Sequence, residues 1–298
     1  MSRIPFKQLP AEVRQAVAVR TGAIHEATTA PGGMNSGVAS VLTTAGGPVF
    51  VKGIPTGHPQ VTAQRREAAI APHLPASCPR LYWRLETGGW SLLGYEVVDG
   101  HHADYAPGSP DLPLVAAALA ELQGITAPAD VGIKQAVDRW AHYAPPGTSR
   151  HFDGDTLLHT DFAPDNVLIT EGRARLVDWA WPTRGAAWID PGALALRLME
   201  AGHPAEDAIG FAARFPSWRH APPEALAAFG TATAALWREI AEQDDDAQWK
   251  RTMAEQAAIL AEHVRDVTVP RPSEDGRGTH KHRPAAPNET GPRRPCGT

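Results

Sequence analysis

The chain has 298 residues, 43% hydrophobic and 20% charged, with a net charge of −5, a balance that suits a globular protein with a sizeable core and excludes a wholly disordered one. Two cysteines, Cys78 and Cys296, cannot build a disulfide framework or a structural zinc site. The opening "MSRIPFKQLPAEVRQAV" lacks the apolar centre of a signal peptide, and no apolar run reaches the ~20 residues of a membrane span, so a soluble cytoplasmic protein without a membrane partner is expected.

A helix is predicted to open at Pro10. "GVASVLTTAGGPVFVKGI" reads as a hairpin, with its turn at Ala45-Gly46-Gly47-Pro48 and its second strand ending near Ile54. An alanine-rich helix from Gln60 to Leu74 is stopped by Pro75. Two more strands lie in "RLYWRLETGGWSLLGYEVV", turning at Gly88-Gly89. Beyond Gly100 the pattern becomes helical: Leu114, Val115, Ala118, Leu119 and Leu122 share a face. So do Leu226, Phe229, Leu236, Trp237 and Ile240 around Thr233, and Trp249, Met253, Leu260 and Val264 around Ala257; both are read as core stripes. Between them "NVLIT" and "ARLVDW" form β-branched runs about Glu171-Gly172, with Arg173 assigned to the turn. From Val269 the chain holds six Lys/Arg against three Asp/Glu amid proline and glycine, the composition of a disordered tail. The residues before it carry 22 basic and 30 acidic side chains, a charge of −8 that disfavours nucleic-acid binding.

The chemistry concentrates in "LLHTDFAPDNVLI", residues 157–169. Charges that interrupt an apolar run have to be solvated, paired or bound to something. His159, Asp161, Asp165 and Asn166 precede the first strand of the hairpin, and its second strand returns Asp178 towards them. Carboxylate and amide oxygens suit Mg²⁺, and a carboxylate left off the metal can orient or deprotonate a hydroxyl. Asp-x-x-x-x-Asn, then strand, turn, strand and Asp, is the spacing of a kinase catalytic loop, with Asp161 as base and Asn166 and Asp178 on magnesium.

"LLHTDFAPDNVLI…ARLVDWAWPTRGAAWIDP" resembles the Brenner-type motif of the aminoglycoside phosphotransferase family, a branch of the protein-kinase-like fold. The usual form is H-G-D-x-x-x-x-N followed by I-D-W or I-D-F; here Thr160 replaces the glycine and Trp179-Ala180 follow Asp178. The resemblance implies an α+β, bilobal fold: a small β-rich nucleotide-binding N-lobe (1–94), a hinge (95–100), a larger helical C-lobe with the catalytic hairpin and acceptor site (101–268), and the tail (269–298). It also implies that His159 braces the loop and that Asp190 supports it. Asp165 is expected to cap or pair locally, Trp179, Trp181 and Trp188 to pack around the hairpin, and His101-His102 to face solvent.

Lys52 on a strand would reach the α- and β-phosphates, with Glu67 on the next helix positioning it. Gly32, Gly33 and Gly37 in "PGGMNSGVAS" would cover the phosphates through backbone N–H groups. "GYEVVDG" would face the adenine. No Walker motif is present. The expected activity is Mg²⁺-dependent transfer of the γ-phosphate of ATP to a hydroxyl of a small molecule. Aminoglycosides, macrolides, choline and homoserine are acceptors within the resembled family. Only 11 residues separate Asp178 from Asp190 and no A-P-E follows, which argues against a protein substrate. The rival readings are a nucleotide-binding pseudokinase and a metal-dependent phosphoester hydrolase built on His159, Asp161 and Asp178.

Overall fold

A computed structural model describes residues 3–31, 36–243 and 247–266 of the chain, and these belong to one compact unit. Gly32, Gly33 and the tail from Val269 lie outside the described residues.

Helix α1 (Ala11–Thr21) begins after Pro10, places Glu12 in its first turn and Arg20 in its last, and ends at Gly22 with φ +81°. Those charges complement the helix dipole, and the glycine takes the left-handed conformation that a helix terminus favours. The sheet that follows is antiparallel: β1 (Ile24–Thr29), β2 (Val38–Thr44), β3 (Gly47–Pro55), then, beyond helix α2 (Val61–Ile70), β4 (Leu81–Thr87) and β5 (Trp90–Tyr95). Their order is β1-β2-β3-β5-β4. Sequence patterning did not reveal β1, whose residues are almost all exposed and carry no apolar alternation. Helix α2 stops at Ile70, four residues before the expected end, and Ala71–His73 close it as a 3₁₀ turn. Pro72 accounts for this, since a proline lacks the N–H and clashes with the preceding turn.

Alternation along β3 sorts its side chains. Val49 and Val51 pack with Val13 and Val17 of α1, each fully buried apolar side chain contributing about 1.5–3 kcal/mol. Phe50 lies on the other face with Leu93, Tyr95 and Ala68 of α2. Lys52 shares the parity of Phe50, so the sheet turns its ammonium towards α2.

The chain leaves the sheet at Glu96–Gly100. Gly100 passes so close to the Ile169 carbonyl that any Cβ would collide with it. Next come β6 (His101–His102), α3 (Leu112–Leu122), β7 (Lys134–Gln135), α4 (Ala136–Trp140), β8 (Thr156–Leu158), β9 (Val167–Thr170), β10 (Arg173–Leu176) and β11 (Thr183–Gly185). Strands β9 and β10 pair antiparallel from Arg173↔Thr170 to Leu176↔Val167. Arg173 is therefore a strand residue, not part of the turn; Glu171 and Gly172, with φ +48° and +73°, make the turn alone.

Helices α5 (Ile189–Glu200), α6 (Ala205–Ala212), α7 (Pro216–Arg219), α8 (Pro223–Glu242) and α9 (Gln248–Asp266) complete the helical part. Met253, Ala257, Leu260 and Val264 form the buried stripe of α9, but Trp249 is 42% exposed and only edges onto Trp237, with ring centroids 6.0 Å apart. On α8 the innermost face belongs to Ala225, Ala228, Phe229, Ala232 and Thr233, while Leu226, Leu236, Trp237 and Ile240 sit half-buried at its flank. Close approach of α9 decides this: a Cβ on Gly230 would lie 2.7 Å from Val264 Cγ2 and 2.9 Å from Ala261 Cα.

The hairpin is fastened to the sheet region at two points. Leu176 N donates to Ser77 O at 2.8 Å. Arg175 clasps Glu96 with both terminal nitrogens, at 3.2 and 2.9 Å, and reaches Cys78 O at 3.0 Å.

Candidate active site

Lys52 is almost fully buried, so its ammonium requires partners. Its Nζ lies 2.7 Å from Glu67 Oε2 and 3.0 Å from Asp178 Oδ1. Glu67 is buried too, and its second oxygen accepts the Tyr95 hydroxyl at 2.8 Å. Burial alone would lower the lysine pKa, but Asp178 and Glu67 outweigh it and raise it above its ordinary value. In turn the Lys52 charge holds Asp178 below the ordinary carboxylate value, against the effect of burial. Three ionisable groups from β3, α2 and the end of the β9–β10 hairpin thus meet at one point.

The loop before the hairpin is fixed by His159 and Asp190, both buried. Asp190 accepts two backbone N–H groups, of His159 and Thr160, each at 2.9 Å. His159 receives the Asp161 N–H on Nδ1 at 3.3 Å and donates Nε2–H to Val177 O at 2.9 Å. These roles require the neutral Nε2–H tautomer, and burial lowers the imidazole pKa in the same direction. With both nitrogens engaged, His159 links the loop to the hairpin.

Asp161 is more open, its side chain 41% exposed. Its Oδ1 receives the Ala163 N–H at 3.3 Å and lies 3.3 Å from Arg197 Nη2, leaving Oδ2 as the outward-facing acceptor. The Asn166 amide donates Nδ2–H to Asp161 O at 3.2 Å, so its Oδ1 is the atom left to present. Asn166 O accepts the Val177 N–H at 2.9 Å, which brings the two ends of the hairpin together next to Asp178. Thr160 and Asp178 have φ +67° and +62°, left-handed conformations that Asp tolerates and a β-branched residue rarely adopts.

The structure brings Lys52, Glu67 and Asp178 into contact and sets Asp161 and Asn166 together across the hairpin mouth. Ser36, Gln60, Gln64 and Trp181 line the same cleft beside Lys52 and Asp178. Gly37 is buried directly before β2, where its carbonyl accepts the Ile4 N–H at 2.8 Å. Trp179 and Trp188 are buried around the hairpin, whereas Trp181 is 39% exposed. Asp165 is exposed and makes no ion pair or hydrogen bond among the described residues, contrary to the cap or bridge expected of it. His101 and His102 are exposed, and His101 Nε2 lies 3.1 Å from Asp111 Oδ2.

Two arginines escaped the sequence reading. Arg197, on α5, joins Asp161 to Glu200 at 2.9 Å and lays its guanidinium over Trp237, 5.4 Å from the ring centroid. Its one signal is a positive charge in the largely apolar "GALALRLME". Arg139, on α4, donates to Thr160 Oγ1 at 2.5 Å and Thr183 Oγ1 at 2.8 Å. Nothing local marks it. At the crossover, the backbone N–H and carbonyl groups of half-buried Val97 and Val98 have no hydrogen-bond partner among the described residues, an edge that a planar heterocycle with a donor and an acceptor could pair with.

Among the described residues no cluster of three His, Cys, Asp or Glu could hold a metal ion by itself. The oxygens that could hold a cation are those of Asp178, one carboxylate, and Asn166, one amide. Hard oxygens in that number suit Mg²⁺, which completes its shell with water and phosphate oxygens.

No family model and no curated protein matches the chain. Solved structures do. A choline kinase, LicA, from Streptococcus pneumoniae is similar over 85% of this chain and 98% of its own, with a TM-score of 0.56 and 12% identity. A putative aminoglycoside phosphotransferase from Ralstonia eutropha matches over 86% and 97%, with a TM-score of 0.55 and 13% identity. Aminoglycoside phosphotransferase APH(4)-Ia, crystallised as a thermostable mutant in ternary complex with ADP and hygromycin B, matches over 83% and 98%, with a TM-score of 0.53 and 14% identity. At these identities the likeness establishes the fold: a kinase-like α+β architecture of the kind used by small-molecule phosphotransferases.

Proposed function

We propose that the protein is an ATP-dependent small-molecule kinase that transfers the γ-phosphate to a hydroxyl of its acceptor. The observation that carries this reading is the meeting of Lys52, Glu67 and Asp178 beside Asp161 and Asn166. It is the charge arrangement that phosphoryl transfer needs, on a fold whose solved relatives include enzymes crystallised with ADP or AMP-PNP and hygromycin B.

The unpaired backbone edge at Val97 and Val98 would take the adenine. Lys52, kept charged by its carboxylates, would neutralise the phosphates, and Glu67 would fix its rotamer. Gly37, with Gly32 and Gly33 before it, would lie along the phosphates. Asn166 Oδ1 and Asp178 would hold Mg²⁺, which when bound supplies charge neutralisation at the phosphate oxygens. Asp161 Oδ2 would accept a hydrogen bond from the acceptor hydroxyl, align it and take its proton. Since this transfer has little covalent chemistry for the protein to perform, positioning and electrostatics account for most of the acceleration. A hydrolase centred on His159 loses its basis, because neither ring nitrogen is free for a metal.

The test is a Mg·ATP consumption screen over hydroxylated small molecules, with aminoglycosides and amino alcohols included, followed by two variants. Asp161→Ala should keep nucleotide binding and lose turnover by about 10²- to 10⁴-fold. Asp178→Ala should lose both. Calorimetry with nucleotide beside single-turnover assays separates them; near-normal turnover by Asp161→Ala would remove the base from the mechanism, and a pseudokinase would show ATP binding with no turnover in any arm.

A further inference from the structure

Three half-buried arginines of the helical part face carboxylates: Arg175 has Glu96, Arg184 has Asp155, and Arg197 has Asp161 and Glu200. One group of cations does not follow this pattern. Lys134 on β7 and Arg139 on α4 gather around the Trp181 indole, and Arg66 on α2 reaches the loop before Lys134; all three are half-buried, and none forms an ion pair among the described residues. Lys134 Nζ stands 4.5 Å from the Trp181 ring centroid and the Arg139 guanidinium 5.7 Å from it. Arg66 spends its Nε–H on Gly132 O, at 3.2 Å, in the loop that leads to Lys134. Arg139 has only neutral acceptors: two threonine hydroxyls and Trp181 O at 3.4 Å.

Gathering like charges on a half-buried face without a direct ion-pair partner is costly, and the groups feel one another. Burial lowers the Lys134 pKa first, and the charges of Arg139 and Arg66 lower it further. Burial brings the Arg139 guanidinium down to about 10, and Arg66 adds to that effect while Asp161 and Asp190 oppose it. An arrangement of this kind is relieved when a ligand supplies the negative charge.

We propose that Lys134 and Arg139 over Trp181, with Arg66 beside them at Gly132, form an oxyanion site for a carboxylate or phosphate group carried by the acceptor. Position favours the acceptor as the source. Trp181 lines the cleft three residues after Asp178, and Arg139 is bonded to Thr160, the residue before Asp161. The nucleotide phosphates already have Lys52. The substrate class is then a hydroxylated acid or phosphate ester, not a polycation, which these three charges would repel. Assignment of the anion to the acceptor rests on the kinase reading above; the existence of the site does not.

The experiment uses the full chain and has two arms. In the first, inorganic phosphate is titrated calorimetrically at low ionic strength, without nucleotide, into the wild type, Lys134→Gln, Arg66→Gln and the control Arg20→Gln. Saturable binding that weakens about tenfold or more in the first two variants, and is unchanged in the control, is expected, because each loses a charge-assisted contact. No binding, or binding indifferent to Lys134 and Arg66, overturns the site. In the second arm, hydroxyl compounds matched with and without a carboxylate or phosphate, such as glycerate and glycerol, are compared as acceptors with Mg·ATP. Preference for the anionic member, with a raised KM in Lys134→Gln and little change in kcat, is expected. Preference for the neutral or cationic member overturns the acceptor assignment and leaves free phosphate as the ligand. A wild type that uses no acceptor refutes the kinase reading, and with it the acceptor assignment, while the phosphate titration decides the site by itself.

Discussion

Thr160 occupies a backbone conformation suited to glycine, with φ +67°, and two contacts hold it there: its N–H on Asp190 at 2.9 Å and its hydroxyl under Arg139 at 2.5 Å. Such strain costs on the order of 1–3 kcal/mol and persists only where neighbours over-determine it. Thr160→Ala removes the Arg139 bond and keeps the strain, so it should destabilise by about 1–2 kcal/mol. Thr160→Gly removes both and should fall nearer the wild type in a denaturant titration. A glycine variant less stable than the alanine variant would show that the position is unstrained. Asp190 adds a pH dependence. Burial pushes its carboxyl up to about 7 from 3.8, against the pull of the two N–H groups and Arg139. A raised native pKa means that the folded state holds the proton more readily than the unfolded chain does. Its contribution is therefore full below about pH 4 and is lost as the pH rises to about 7. The stability difference between wild type and the non-titrating Asp190→Asn should change across that window and level off above it, with the wild type losing stability relative to the variant; a difference that stayed flat from about pH 4 to 7 would mean that the carboxylate is already ionised.

Between elements, the α8–α9 contact is made by small residues. Gly230→Leu should destabilise by about 1–3 kcal/mol, because Ala261 and Val264 leave no room for a side chain, and chemical unfolding would measure it. The same contact explains why the predicted stripe of α8 is only partly its innermost face. Periodicity weights large apolar residues, so Leu226, Leu236 and Trp237 define the legible face and pack at the edge of the core, while the innermost side is drawn by Phe229, Thr233, alanines and one glycine that permit close packing. The β9–β10 hairpin was legible in its strand-turn-strand pattern, with the candidate residues Asp161, Asn166 and Asp178 lying within 18 consecutive positions. Lys52 and Glu67 could be anticipated from strand parity and the next helix. Arg139 and Arg197 could not: they meet the loop from α4 and α5, and no spacing encodes an encounter between distant elements. Strand β1 was hidden because its side chains face water and carry no alternation.

Across the molecule, the sheet and the helical part meet where Arg175 clasps Glu96 and where Lys52 reaches Asp178. The second contact has a consequence for the order in which the cleft fills. Asp178 is paired with the very ammonium that, on the proposed reading, the nucleotide would need. On the proposed reading, a divalent cation arriving alone must displace Lys52 from Asp178, and phosphates arriving alone would take Lys52 away and face a bare carboxylate. Each guest therefore prepares the place of the other, and by linkage the help is mutual. Lys52 acts as a placeholder for the cation. Removing it should have opposite effects on the two guests: Lys52→Met should bind ATP more weakly than the wild type, yet bind Mg²⁺ or Mn²⁺ more tightly in the absence of nucleotide, because Asp178 and Glu67 then lack their counter-charge. Calorimetric titration of the nucleotide-free variant reads this directly, and a cation affinity unchanged or reduced from that of the wild type would show that Lys52 does not guard the site it occupies.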